Sequence, residues 1–305
     1  MLAPVIIALQ IFLVAPQQNI INVHESIEQI SDIAKLQVVM DNLGITSVVL
    51  HGIPQDLIRY SSSDNVNLAE VDENHGYLME AAEAYPEDFE FFCSIDPSNI
   101  DRLDMMEECF EEGALGIKFY NGYSYAHDIE LDDPRLSELY SAVEEEGAIL
   151  MLPVNTSKYQ DELENILTLH PDLKIICSHY CLSSKTLERA SELLREFPNL
   201  YVDTSFGHID YARDGFQTIS DGHETFEAFF GEFQDRILFA TDTVVTSYED
   251  KTTEWLTALY SDYISILAED EFESAVDQGV FYQGLHLSAT VQKKVFWQNW
   301  SNLLE

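Results

Sequence analysis

Basic residues are scarce in this 305-residue chain. Lys and Arg together number 15 against 55 Asp and Glu, for a formal net charge of −40. The acids run along the whole sequence and do not collect in a tail, which excludes a dedicated acidic interaction segment. So strong and even a negative field makes nucleic acid and anionic membranes poor partners. It suits a halophilic protein that works in concentrated salt, because salt screens the self-repulsion. Cysteine is sparse as well. Cys93, Cys109, Cys177 and Cys181 include no C-x-x-C pair and do not make a disulfide framework. Cys177 and Cys181 are near enough to meet, but are expected as reduced, half-buried thiols. Long hydrophobic runs are also missing. Only Met1–Ala15 is nearly all apolar, and Pro4 and Gln10 interrupt it before Pro16. It lacks the basic start and small-residue cleavage site of a secretory leader, and it is too short to span a bilayer. Residues 1–18 are read as an apolar extension, an extra strand or hairpin closing the floor of the domain. A removed signal segment is the alternative, so the expected location is cytoplasmic, with secretion second.

What is present is an alternation. Short apolar runs, read as strands, alternate with amphipathic stretches, read as helices, along the whole length. The strands are expected at Asn19–His24, Ile45–His51, Phe89–Ile95, Leu115–Tyr120, Ala148–Val154, Leu173–His179, Leu200–Thr204 and Arg236–Asp242. The helices are expected at Ile27–Leu43, Val71–Tyr85, Asn99–Glu112, Pro134–Gly147, Lys158–His170, Ser184–Phe197, Thr252–Leu267 and Ala289–Leu304. Polar loops are expected at Ser61–Asp64 and, at length, after the seventh strand, where only a short helix near Glu224–Phe233 breaks the run. No internal repeat or linker divides the chain. This predicts an α/β fold, one (β/α)₈ TIM barrel over residues 19–305.

The polar residues at the strand ends carry the chemistry. The buried run Arg236–Val245 contains a single acid, Asp242, where the eighth strand opens into its loop. A carboxylate at the catalytic end of a barrel strand is costly unless something uses it, although capping the next helix is the plain alternative. His24, His51, Lys118 and His179 end other strands. Side chains alternate along a strand, so Ile175, Cys177 and His179 are expected on one face, as are Leu238, Ala240 and Asp242. Gly116, Lys118 and Tyr120 oppose an apolar set that should meet the helices, which turns Lys118 into the barrel. Two His and an Asp at one mouth suit a divalent metal or acid–base work. A lone strand-end His is more often structural, and His51 fits that description best.

These pieces resemble the amidohydrolase superfamily, in its amidohydrolase-related branch typified by aminocarboxymuconate-semialdehyde decarboxylase. The resemblance spans roughly Asn19 to Leu304. It rests on Ile-Asn-Val-His-Glu-Ser (21–26), Ser-Ile-Asp-Pro (94–97), Gly-Ile-Lys-Phe-Tyr (116–120), Leu-Lys-Ile-Ile-Cys-Ser-His (173–179), Leu-Tyr-Val-Asp-Thr-Ser (200–205), Asp-Arg-Ile-Leu-Phe-Ala-Thr-Asp (235–242) and Asn299 in the last helix. The family's first strand ends Asp-x-His-x-His, and here the matching residues are Asn22, His24 and Ser26. Its fifth strand usually ends in a ligand His, where this chain has Pro153 or a neighbour. His179 and Asp242 match the sixth- and eighth-strand positions.

The resemblance implies a hydrolase or lyase acting on a small carboxylate, ester or lactone. Asp242, His179 and Lys118 would be catalytic. A divalent metal, Zn or Mn, would be held by His24, Asp242 and His179, weakly or not at all given Ser26 and Pro153. Asn155, Tyr120, Tyr123, His127 and His51 would touch the substrate. A small molecule is the expected partner, and the family favours a homodimer. A barrel that has lost its ligands and binds a ligand or a partner protein remains the alternative, as does an unrelated barrel enzyme.

Overall fold

The computed structural model describes residues 19–58, 71–72 and 74–305. The apolar extension 1–18 and the polar loop at Ser61–Asp64 lie outside the described residues. Eight parallel strands follow one another in chain order around a barrel. They are β1 (Ile20–Glu25), β2 (Ile45–His51), β3 (Phe89–Ser94), β4 (Gly116–Lys118), β5 (Ile149–Met151), β6 (Lys174–Cys177), β7 (Leu200–Asp203) and β8 (Ile237–Leu238). The seam between β8 and β1 is closed by backbone bonds. Val23 N–H donates to Phe239 O at 3.0 Å, Asp242 N–H to His24 O at 2.8 Å, and Val245 N–H to Ser26 O at 2.7 Å. These bonds tie the two strand ends that carry His24 and Asp242 to each other.

Several ladders are shorter than the apolar runs that encode them. The run Ala148–Val154 is buried throughout except at Ala148, yet only Ile149–Met151 is strand. Burial continues past the ladder into the mouth, so hydropathy overstates strand length. Inside the barrel Val23, Val49, Phe92, Ile149, Met151, Ile176, Leu238 and Ala240 pack together, and Trp300 and Leu303 close the floor. Trp300 Nε1 donates to Glu90 at 2.9 Å, and Asn299 Nδ2 donates to the carbonyls of Gln234 and Ile237 at 2.8 Å each. Each large apolar side chain buried in this plug contributes about 1.5–3 kcal/mol. Gly116 is required where β4 runs closest to its neighbours, because a Cβ there would strike the Ile149 carbonyl and the Phe92 ring.

Three expectations are corrected and one element is added. The long loop after β7 contains a 13-residue helix, Ile209–Asp221, whose buried Ala212, Phe216 and Ile219 recur at helical spacing. A two-stranded antiparallel hairpin, β9 (Glu271–Glu273) with β10 (Phe281–Gln283), precedes the last helix. Its strands are too short to show a period. The cysteines are not reduced thiols: Cys93 is joined to Cys109 and Cys177 to Cys181, with Cα atoms 6.2 and 4.9 Å apart. The first bond pins the helix Arg102–Glu111 onto β3, a tertiary contact that sequence spacing does not reveal. Finally, His179 does not share the face of Ile175 and Cys177. Those two pack in the outer core beneath the helices, and His179 reaches the mouth by a different route.

Candidate functional site

The C-terminal ends of the strands open into a cavity of about 820 Å³. Lys118, His179 and Asp242 lie on its wall, with the tyrosines 120, 123 and 125 stacked along one side. His24 sits beneath them, wholly buried.

His24 is the junction of the site. Its Nδ1 lies 2.9 Å from Oδ2 of Asp203, at the end of β7. A carboxylate only accepts, so the proton sits on Nδ1 and the Nε2 lone pair faces the barrel axis. Lys118 Nζ donates to that Nε2 at 2.7 Å, and Asp242 Oδ1 is 3.2 Å from it. Burial pushes the Asp203 carboxyl up, but the hydrogen bond and proximity of His24, with His179 and Ser205, overcome it and hold the group below the usual carboxylate range. Burial lowers Lys118, opposed by the charges of Asp242, Asp203 and Glu25.

His179 enters the site through a backbone device. β6 stops at Cys177, and His179, Tyr180, Cys181 and Leu182 follow with φ of 58°, 54°, 53° and 48°. Left-handed backbone costs L-residues about 1–2 kcal/mol apiece, so the turn must be held by its surroundings. Asp203 Oδ1 holds it, accepting from His179 N–H at 2.9 Å. The imidazole Nδ1 lies 2.9 Å from Ser205 Oγ and 3.2 Å from Ser205 O. Tyr123 OH is 2.7 Å from Nε2, and Asp242 Oδ2 is 3.6 Å from it. With Nδ1–H donating to Ser205 O, Nε2 accepts from Tyr123. Burial keeps His179 below its ordinary value, against the pull of Asp203 and Asp242.

Asp242 itself has φ 50° and Val244 φ 58°. This second strained turn is anchored by Glu25, which is wholly buried. The Glu25 carboxylate accepts from Thr241 Oγ1 at 2.8 Å, Thr243 N–H at 3.3 Å, Val244 N–H at 2.7 Å and the Tyr260 hydroxyl. Burial raises its pKa, partly offset by those bonds. Lys251 Nζ donates to the carbonyls of Thr243 and Val244 at 2.8 and 2.6 Å, clamping the turn from the other side.

The structure therefore brings together His24, Lys118, Tyr120, Tyr123, His179 and Asp242. It does not bring three expected substrate contacts to the cavity wall. His51 is wholly buried below the site, with Nε2 2.9 Å from Val23 O and its ring 4.9 Å from that of His24. Burial, then the neighbouring His24 and Lys118, push it well below its ordinary value. Asn155 caps the helix Thr156–Leu169 by accepting from Ser157 N–H at 3.2 Å. His127 turns away to stack on Tyr159 and bond Asn121 O at 2.6 Å. The sequence reading missed Asp203, Glu25 and Ser205. Asp203 was findable, since it shares a strand face with Tyr201 and closes β7 as Asp242 closes the eighth run.

One atom each of His24, His179 and Asp242 lies within 4.8 Å of the others, the start of a metal cage. The lone pairs that would bind are already met by protons, from Lys118 on His24 and from Tyr123 on His179. Ser26 Oγ, buried without a hydrogen-bond partner, is a poor ligand. As arranged, these residues do not fit a divalent ion.

The sequence profile of the amidohydrolase family matches residues 47–299. No curated protein matches the chain in sequence. Among solved structures, an uncharacterized TIM-barrel protein from Bordetella bronchiseptica superposes with a TM-score of 0.62 at 18% identity, covering 94% of this chain and 98% of that one. 4-Oxalomesaconate hydratase from Rhodopseudomonas palustris gives 0.58 at 13%, covering 93% and 95%. A 5-carboxyvanillate decarboxylase from Novosphingobium aromaticivorans, bound to manganese and a nitrobenzoic acid, gives 0.54 at 14%, covering 93% and 96%. Such identities show a common fold, and the family match extends over most of the sequence. On that match, the chain belongs to the amidohydrolase family of enzymes.

Proposed function

We propose that this protein is a hydrolase or lyase of small anionic molecules, with a carboxylate, ester or lactone as the reacting group. The observation that carries this reading is the charge of the cavity. Lys118, Lys185, Arg189 and Lys251 line it, four of the 15 basic residues in the whole chain, against Asp214, Asp242 and Asp250. Elsewhere acids outnumber bases more than threefold, so the mouth is enriched in basic side chains relative to the rest of the chain. Such a local concentration of cations favours anions that the remaining surface repels. The stacked tyrosines supply the apolar wall that a small ligand needs.

In this reading Asp242 is the general base, taking a proton from water or from the substrate. Lys118 receives a carboxylate or carbonyl oxygen at the cavity floor. Tyr123 and His179 form a relay that returns a proton to the departing group. Asp203 orients His24, and through it Lys118. The relatives' names, a hydratase and a decarboxylase, agree with chemistry next to a carboxylate.

The test is a panel of small mono- and dicarboxylates, their esters and lactones, and neutral amide counterparts, followed by proton NMR. Turnover of anionic members is expected. Asp242→Asn should reduce it by about 10²–10⁴, the usual contribution of a positioned base. Turnover restricted to the neutral amides, or an Asp242→Asn variant with full activity, would sink the proposal.

A further inference from the structure

We propose that Lys118 is this enzyme's resident cation, occupying by its ammonium group the place among His24, His179 and Asp242 that a divalent ion would otherwise take. The inference rests on the reading of the mouth as an active site and adds what occupies its centre. Three geometric facts support it. His24 has one lone pair to give, because Asp203 fixes the proton on Nδ1 at 2.9 Å, and Lys118 Nζ takes that lone pair at 2.7 Å. The corresponding lone pair of His179 is taken by Tyr123 OH at 2.7 Å. Lys118 is buried but belongs to the cavity wall, with Nζ 4.7 Å from the centre of the Tyr120 ring, so a substrate oxygen can reach it.

The arrangement is self-consistent as a proton network. Every donor points at an acceptor: Lys118 to His24, His24 to Asp203, Tyr123 to His179. A metal ion would have to strip Lys118 from His24 and Tyr123 from His179, leaving a buried lysine without its acceptor. A lysine N–H at that point can do what the ion does for a carbonyl, which is to draw electron density towards its oxygen.

The experiment measures metal and not turnover, so it can fail while the enzymatic reading stands. The full chain is purified without chelator, desalted and analysed for metal. It is then titrated with Zn²⁺ and with Mn²⁺ by calorimetry, beside Lys118→Met and Tyr123→Phe. Wild type is expected to retain no stoichiometric metal. Lys118→Met, which keeps the stem and removes the donor, should bind Zn²⁺ at least about tenfold more tightly, as a freed His lone pair warrants. Adding Asp242→Asn should cancel the gain. One tightly held equivalent of metal in wild type, with or without a carbamate on Lys118, overturns the proposal. So does a well-folded Lys118→Met with unchanged zinc affinity. Should that variant not fold, wild-type metal content and Tyr123→Phe still decide. The latter is expected to bind Zn²⁺ more tightly than wild type, and equal affinity counts against the proposal.

Discussion

The Nδ1 of His24 lies 2.9 Å from Oδ2 of Asp203, and both side chains are closed to solvent. This one contact fixes the tautomer of the central imidazole, and it comes from a residue that also holds the left-handed turn of His179. Asp203→Asn keeps the shape but offers a donor or a neutral acceptor. The His24 proton is then free to move to Nε2, where it meets Lys118. We expect nitrogen-detected NMR of the imidazole to show a protonated Nδ1 in wild type and a mixed or inverted tautomer in the variant. On any substrate found, activity should fall by up to about 10⁴, as when the orienting acid of a His-based triad is amidated. An unchanged tautomer would remove Asp203 from the account.

Glu25 should matter to stability more than its neighbours. Glu25→Ala leaves Thr241, Thr243, Val244 and Tyr260 without their common acceptor in a dry environment. Unsatisfied buried donors cost about 1–3 kcal/mol each before relaxation and water entry. A loss of about 3 kcal/mol or more in urea unfolding is expected, together with displacement of Asp242, whose turn loses its anchor. A loss below about 1 kcal/mol would show that water replaces the carboxylate without penalty.

The barrel was legible because its evidence is periodic: apolar runs, helical stretches and single polar residues at the run ends. Lys118 was placed inside by strand alternation alone. The same rule failed at His179, because β6 ends two residues earlier and the backbone turns left-handed. The resemblance implies His127 and Asn155 as substrate contacts, but one stacks on Tyr159 and the other caps a helix. Asp203 and Glu25 act by accepting bonds from distant segments. The position of Asp203 at a strand end is visible in the sequence, but the partners it and Glu25 hold are not, and neither is the disulfide between Cys93 and Cys109.

His75 gives a pH test separate from the site. It is largely buried, its Nε2 accepts from Ser94 N–H at 2.9 Å, and burial lowers its pKa to about 4. The unfolded value is near 6.5, so between about pH 4 and 6.5 the unfolded chain binds the extra proton and stability rises with pH. The contribution is complete above the unfolded value and is lost as pH falls towards the folded one. Its ceiling is about 3 kcal/mol at 1.36 kcal/mol per pKa unit. Urea midpoints measured across that range should rise more steeply in wild type than in His75→Gln. Equal slopes would place His75 in contact with water.

The net charge of −40 makes the last prediction. Spread over one barrel, those charges repel each other in the folded state more than in the expanded chain, so dilute buffer should destabilise the fold. The Debye length falls from about 10 Å at 0.1 M salt to about 3 Å at 1 M, which confines repulsion to near neighbours. Among the described residues few ion pairs between charged side chains stand against it. Those formed by Arg195 with Glu232 and by Arg213 with Asp277 are exposed or half-exposed, where such pairs contribute little. Screening should therefore help far more than it harms. Between about 0.1 and 2 M KCl the melting temperature is expected to climb by about 5–10 °C, which at 2–4 °C per kcal/mol means a few kcal/mol. Potassium chloride is the right salt, because sulfate strengthens apolar burial in any protein and would mask the charge effect. A flat response in KCl would mean that the acidic surface does not limit stability, and the argument for a salt-adapted protein would fall with it.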